Sequence, residues 1–433
     1  MLQLILIAAR NLSRHRRRTL LLGGAIAGVT ALLVVLLGLS NGIHATMLQS
    51  ATTLMTGHVN VGGFFKASAG QAAPVVTHYQ TLLEKVRKDV PELDYAVHRG
   101  RGFGKLVSDT GSLQSGIAGV EIGIEPGLPR VLELESGTLW GLKEPRSLLL
   151  FHDQAKKLGV NVGDSVTISA TTLRGVTNTL DVHVVGIAKD VGLLSKFNVF
   201  VPEESLRALY QLNSDTTGAL LLYLKDIRDI PEVQERLRKT LAAAGYGVMD
   251  YDPTVFWQKF QSVNREGWTG QKLDITNWED ETSFLKWTMR VVQVLSGSLI
   301  VILLIIISIG IMNTLWIAIR ERTREVGTLR AIGMQGTRVM LMFLIEALML
   351  SLGATILGAV LGLGACLGVN LARIQVPDAV QLFLMSSRLH LLVNVQSLFI
   401  SVGVITACAT LVSLIPSYLA SRLEPVTAMH HIG

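Results

Sequence analysis

The sequence predicts an α-helical membrane protein with four transmembrane helices and a large α+β domain inserted between the first and second helix. Three observations carry this. Apolar residues collect in a few long uncharged runs, arginines stand beside those runs, and a polar middle of mixed helix and strand pattern separates the first run from the rest. The 433 residues are 49% hydrophobic and only 17% charged, with a mean hydropathy of +0.44, against a usual charged share of about 25%. That balance excludes a disordered chain, a nucleic-acid-binding module and an ordinary cytosolic enzyme. The net charge of +6 does not argue for nucleic acid, because many arginines flank the apolar runs and set topology there.

The first element is the run Leu20 to Leu39, uncharged and long enough to cross about 30 Å of hydrocarbon. Arg10, Arg14, Arg16, Arg17 and Arg18 precede it, and no acid occurs before Glu84. The run exceeds a signal-peptide core, and Ser40 to Ala45 makes a poor cleavage site, so an uncleaved anchor with its N-terminal side in the cytoplasm is expected.

The polar middle, about Asn41 to Arg290, then lies outside. Helices are expected over Thr77 to Val90, Glu203 to Leu212 and Pro231 to Ala244, and strands over Ser165 to Ser169, Asp181 to Gly186 and Ala219 to Leu224. The mixed order predicts an α+β domain with room for a second lobe. Asn277 is a helix cap followed by Glu279, Asp280 and Glu281, and the absence of Pro and Gly to Arg290 predicts one helix rising as a stalk into the second span.

That span is Val291 to Ile319. A short loop follows with Arg320, Arg322, Arg324, Arg330 and Arg338 against Glu321 and Glu325, which places it in the cytoplasm. Val339 to Ala372 would make about 51 Å of helix, too long for one straight span and too short for two. It reads as an interfacial lead-in containing Glu346 and a span near Leu348 to Asn370. The last span covers about Leu398 to Leu419, with Pro416 near its inner end and Arg422 and Glu424 beyond. Both termini are then cytoplasmic. The expected segments are 1–19 cytoplasmic, 20–40 first span, 41–276 outside domain, 277–319 stalk and second span, 320–338 cytoplasmic loop, 339–372 lead-in and third span, 373–396 short outside loop, 397–419 fourth span and 420–433 cytoplasmic. Gly24-x-x-x-Gly28, Gly358-x-x-x-Gly362 and Gly364-x-x-x-Gly368 are small-residue pairs that suit either packing within the chain or a subunit interface.

Catalytic patterns are not found. Gly100-Arg-Gly-Phe-Gly-Lys105 has the wrong spacing for a phosphate cradle and reads as a turn. No zinc motif or Gly-x-Ser-x-Gly elbow occurs. Cys366 and Cys408 both lie in apolar runs, so no disulfide framework is available to the middle domain. His430-His431 reads as a tail, and Glu121, Glu125 and Asp164 as solvated loop residues. Glu346 is a carboxylate in an apolar run, which suits a proton or substrate site, but its place close to the arginine-rich loop, at interface depth, favours a structural or coupling role.

This layout resembles the permease subunits of the MacB/FtsX/Lol superfamily of ABC transporters, the mechanotransmission or type VII group. The resemblance is carried by Arg320-Glu-Arg-Thr-Arg-Glu-Val-Gly-Thr-Leu-Arg-Ala-Ile-Gly333, by Phe343-Leu-Ile-Glu-Ala347 and by the glycine-spaced third run. Ala9 to Leu12 with Arg16 to Thr19 is similar to the family's N-terminal part, and Pro416 to Ala420 with Pro425-Val426 to its C-terminal part. Asn41-Gly42, Gly119 to Pro126, Leu158 to Asp164 and Val185 to Ile187 are similar to the lipoprotein-releasing (LolC/LolE-like) branch, whereas the coupling segment and Phe343 to Glu346 are closer to the MacB type.

The resemblance implies a bacterial inner-membrane permease with a periplasmic α+β domain. It would have no ATP site of its own, and ATP and Mg would sit on a separate cytoplasmic ABC ATPase. It implies a coupling helix seated in that ATPase, on Glu321, Arg324, Glu325, Thr328, Leu329, Arg330, Ala331 and Gly333. Its partners would be the ATPase, a second permease copy or paralogue, membrane lipid, a lipoprotein cargo and a periplasmic carrier or adaptor, with no nucleic acid. The expected activity is extraction of lipoproteins or other amphiphiles from the outer leaflet. The alternatives are MacB-like efflux, an FtsX-like regulator of a periplasmic cell-wall hydrolase, and a membrane-anchored binding domain, against which the charged loop argues. No cofactor or metal is expected on this chain.

Overall fold

A computed structural model describes residues 2–14, 16–68, 71–283, 286–377, 381, 385 and 388–422. Glu424, Pro425, Val426, His430 and His431 lie outside the described residues. The described chain forms two compact units, one of residues 45–289 with 376–387 and one of the remainder.

In chain order the elements begin with helices α1 (Leu2–Arg14) and α2 (Arg16–Ala51), α2 being extended by a π turn over Thr52–Thr56. Then come β1 (Val59–Ser68), β2 (Gln71–Ala73), β3 (Val76–Thr77), α3 (Tyr79–Asp89), β4 (Leu93–Val107) and β5 (Ser112–Val120). They are followed by α4 (Leu128–Val131), β6 (Leu134–Gly137), β7 (Ser147–Phe151), α5 (His152–Leu158), β8 (Ser165–Thr171) and β9 (Thr177–Ala188). Next are β10 (Asn198–Pro202), α6 (Glu203–Tyr210), β11 (Thr216–Thr217), β12 (Ala219–Leu224), α7 (Ile230–Ala243), α8 (Phe260–Arg265), β13 (Gly270–Asn277) and α9 (Trp278–Glu281). The chain ends with α10 (Lys286–Glu321), α11 (Thr323–Ala331), α12 (Gly336–Ala372) and α13 (Val395–Ser421).

The α+β unit is built on one mixed sheet in the order β13-β1-β12-β4-β5-β10-β7-β9-β6, with β2 on β1 and β8 on β4 and β9. Strand β4 is shared by two lobes. Its first half pairs antiparallel with β12, and its second half pairs with β5 and β8. Each lobe has its own apolar core. In the first, Val59, Val61, Leu220, Leu222, Leu273 and Ile275 from β1, β12 and β13 meet Leu82 and Val86 of α3 and Val233, Leu237 and Leu241 of α7. In the second, Leu148, Leu150, Val182, Val184, Val199 and Val201 meet Ala155 and Leu158 of α5 and Leu206 and Leu209 of α6. Strand β12, Ala-Leu-Leu-Leu-Tyr-Leu, is buried at every position, which explains its continuous apolar run in place of alternation.

Three expectations are corrected here. Gly100 to Lys105 is not a turn but the middle of β4. A Cβ at Gly100 would stand 2.5 Å from a Leu206 methyl, and one at Gly102 would stand 2.7 Å from the Tyr210 ring, so the glycines let α6 lie directly on the strand. Glu125 is not a solvated loop residue. It is 2% exposed and receives bonds of 2.7 to 3.0 Å from the Arg99 guanidinium, whose Nη1 donates to the Thr53 carbonyl at 2.8 Å. Glu121 is exposed and within 3.2 Å of His98, and the exposed Asp164 accepts from the Asn161 amide at 2.7 Å.

The third correction concerns the stalk. Asn277 does cap a helix, with its side chain accepting from the Asp280 amide in a capping box. That helix, α9, ends at Glu281, and Thr282 leaves helical geometry at φ −115° and ψ 28°. Residues 284 and 285 lie outside the described residues, and α10 starts at Lys286, so one unbroken helix from Asn277 is not what forms. The side chains of α9 turn inward instead: Asp280 and Glu281 are buried, bonded to Tyr251 at 3.0 Å and to Asn60 at 3.1 Å.

The segment Arg16–Thr56, α10, α12 and α13 are the helices long and apolar enough to cross a membrane among the described residues. Helix α12 runs unbroken from Gly336 through Glu346 to Ala372, so the expected lead-in and span are one helix. Ile26 and Leu33 of α2, Ile307 and Ile311 of α10, Ala354 of α12 and Ile405 and Ala409 of α13 form a common core. Hydroxyl contacts join the helices, Thr355 to Thr406 at 3.1 Å and Ser308 to the Cys408 thiol at 3.3 Å. Both cysteines are free.

Candidate coupling site

The loop between α10 and α12 folds into the short helix α11, held at both ends by defined stops. Arg322 breaks α10. Its backbone sits at φ −105° and ψ 15°, and its amide is shared between the Ala318 and Ile319 carbonyls, each at 3.2 Å. At the other end the Gly333 amide bonds the Arg330 carbonyl at 3.1 Å and the Met334 amide the Leu329 carbonyl at 3.0 Å. This is a Schellman stop, and it requires the left-handed φ of +99° that Gly333 adopts.

The inner side of α11 is packed. Val326 is 1% exposed in a cluster with Ile319, Val339, Met342, Phe343 and Ala420, and Met334 closes its edge. Arg330 donates to the Ser421 carbonyl at 2.5 Å. It thereby satisfies a carbonyl in the last turn of α13 and ties α11 to it.

Beneath the helix lies a buried charge cluster. Arg322, 3% exposed, donates to Glu346 Oε2 at 2.8 Å, and Arg18 of α2 reaches Glu346 Oε1 and Glu321, both at 3.4 Å. Glu346 is itself 6% exposed. Such a pair in a low-dielectric setting holds three elements, α2, the α10 end and α12, in one arrangement, because separating either charge would leave the other without compensation.

The outer side differs. Arg324, Glu325, Thr328, Ala331, Ile332 and Gly333 are exposed, with Ile332 at 80%. Of the residues expected to form the site, Glu321, Arg324, Glu325, Thr328, Ala331 and Gly333 are exposed, Leu329 and Arg330 are half-buried, and Glu346 lies in the charge cluster below; Ile332 is not among them. Arg18, Arg322 and Ser421 belong to this arrangement although no sequence pattern marks them as members of the site. Arg322 and Glu346 are opposite charges on either side of a turn, but no periodic signal joins them, since only the reversal at Gly333 brings them face to face. Among the described residues no group of His, Cys, Asp or Glu could hold a metal ion.

With this geometry in view, the chain was compared with known proteins. The model of the MacB-like periplasmic core domain matches residues 19–240, more than half of the chain. The chain belongs to that family. The model of the FtsX-like permease C-terminal region matches residues 297–425, which takes in α11, α12 and α13. Two curated relatives are the macrolide export ATP-binding/permease protein MacB of Bdellovibrio bacteriovorus, 25% identical over 59% of this chain and 35% of its own length, and the pyoverdine export ATP-binding/permease protein PvdT of Pseudomonas savastanoi, 25% identical over 57% and 33%. The chain thus spans about a third of the length of these relatives. Among solved structures, the periplasmic region of MacB from Actinobacillus actinomycetemcomitans overlays on 54% of this chain and 95% of its own at 11% identity. Its TM-score of 0.31 leaves the fold to be read from this chain's own strands.

Proposed function

We propose that this chain is the permease subunit of an ABC-type transporter of the MacB/FtsX group. In this reading it crosses the bacterial inner membrane four times, with both termini cytoplasmic and the α+β domain inserted between the first and second spans on the periplasmic side. A separate ATPase, which holds ATP and Mg, docks on α11 and moves the helical unit with each cycle, and two permease copies or paralogues assemble with it. The cargo class is an amphiphile in the outer leaflet. Lipoprotein release is the form suggested by the LolC/LolE-like segments, and efflux is the form suggested by the names of the curated relatives.

One observation carries this reading: a nine-residue helix whose inner side is fastened by Val326, Arg330 and the Arg322–Glu346 pair while its charged outer side is presented. A membrane anchor has no use for such a device. A motor that closes once per ATP needs a rigid body to push, and α11 has the required attachment.

The test is to purify the chain from its native host in mild detergent and identify a stoichiometric ATPase. The purified complex then serves to compare Glu325→Lys and Leu329→Pro. The first reverses a presented charge, and the second costs about 3 kcal/mol within α11. Both are expected to abolish stimulation of the ATPase and transport while insertion into the membrane is unchanged. A chain that purifies without any ATPase, or variants that both work normally, would overturn the assignment.

A further inference from the structure

The α+β unit contains a cleft of about 650 Å³, within the ~300–1,000 Å³ range of small-molecule sites. Its walls are aromatic and aliphatic. Phe103, Tyr210, Phe256, Trp257 and Phe260 line it, with Leu221 among the aliphatic residues. Phe103 is 62% exposed and Phe197 40%, which is a large apolar area for one opening. Phe197 and Trp257 stack with centroids 6.4 Å apart and an interplanar angle of 21°.

One charge on this wall has no hydrogen-bonding or ionic partner among the described residues. The Arg101 guanidinium lies over the Phe256 ring at 4.1 Å, and among the described residues it makes no hydrogen bond or ion pair. The other charges nearby are already matched. Arg99, also on the wall, is held by Glu125. Asp274 is held by Lys259 at 2.7 Å, and Glu281 by Asn60, Thr276 and the Phe256 amide. Burial lowers the Arg101 guanidinium from its ordinary value, while Glu281 and Asp274 pull the other way from a distance. A guanidinium with unused donors beside an apolar wall suits an anionic group with an apolar body attached.

We infer that this cleft binds a single-chain acyl amphiphile, its anionic head on Arg101 and its chain along Phe256, Trp257 and Phe260. The inference deepens the proposed function by giving the cargo class a site in the α+β unit, and it rests on that reading only for its biological role. The binding itself is tested without the ATPase.

The full chain, reconstituted in phosphatidylcholine nanodiscs, is irradiated with palmitic acid carrying a mid-chain diazirine or with the methyl ester of the same probe, and labelled peptides are mapped by mass spectrometry. The acid is expected to label peptides containing Phe103 or Phe256 to Phe260 about tenfold more strongly than the ester, the size of a charge-assisted contact. Arg101→Gln is expected to bring acid labelling down to the ester level, and Arg101→Lys to retain part of it. Equal labelling of the cleft by acid and ester in the unaltered chain would overturn the inference, and so would acid labelling confined to α2, α10, α12 and α13. Because the acid-to-ester ratio is read on the unaltered chain, a variant that misfolds does not decide the outcome. A cleft that fails here while Glu325→Lys still uncouples the ATPase would refute the binding site and leave the permease reading standing.

Discussion

Glu346→Ala is expected to destabilise the helical unit by about 3–5 kcal/mol, the cost of leaving a buried charge without its partner. Removing the carboxylate strands Arg322, 3% exposed, whose Nε and Nη2 already have no partner among the described residues. It also leaves Arg18 facing Arg322 with only Glu321 nearby. The loss would be read as a lower unfolding temperature in detergent and faster proteolysis between α10 and α12. Arg322→Ala should cost a similar amount for the opposite reason, an uncompensated Glu346. The double variant Arg322→Met with Glu346→Leu should recover most of the stability, because an apolar pair of similar volume needs no desolvated charges. If the two single losses simply add in a double alanine variant, the residues are not coupled and the cluster does not fasten the loop.

The second large effect is steric. Gly358→Leu should cost more than the about 1–3 kcal/mol typical of overpacking, because the obstruction is backbone. A Cβ at Gly358 would stand 2.4 Å from the Ala27 carbonyl oxygen, and one at Gly362 would stand 2.8 Å from that of Ala31. Neither carbonyl can move without parting α12 from α2. Gly364→Leu and Gly368→Leu offer the control, since a Cβ at either position meets nothing within 4 Å. These two should leave the thermal stability of the isolated chain nearly unchanged. Gly→Leu favours the helix at either position, so equal destabilisation at Gly358 and Gly364 would show that the α2–α12 contact is not what sets the cost at Gly358. The same geometry settles the two packing alternatives for one pair only. Gly358 and Gly362 pack within the chain, while Gly24 and Gly28, like Gly364 and Gly368, have no neighbour at Cβ distance in it.

Elements written in local pattern were legible in the sequence. The strand Ala219–Leu224 and the helix from Glu203 form with nearly the expected bounds, Asn277 caps a helix as expected though a shorter one, and each expected apolar run lies inside a helix that extends beyond it, α2 by the most. Each depends on residues within a few positions of one another, so the chain carries the information along its length. The arginine-rich loop was legible for the same reason, whereas the helix within it is expected from the family resemblance.

What the tertiary structure alone decided is what each glycine and each charge meets. Gly100 to Lys105 has turn composition, yet it is a strand because α6 needs bare backbone to lie on. Glu125 sits in a polar stretch, yet it is buried in an ion pair with Arg99 of β4. The stalk helix stops after Glu281, where Asp280 and Glu281 turn inward to Tyr251 and Asn60 in the fold. Glu346 was visible as an anomaly, but its partner Arg322 was not, since 24 residues and a left-handed turn at Gly333 separate them. Propensity and periodicity are properties of neighbours in sequence. Ion pairs and close backbone approaches are properties of neighbours in space, and in this protein the candidate coupling and ligand sites are built from the second kind.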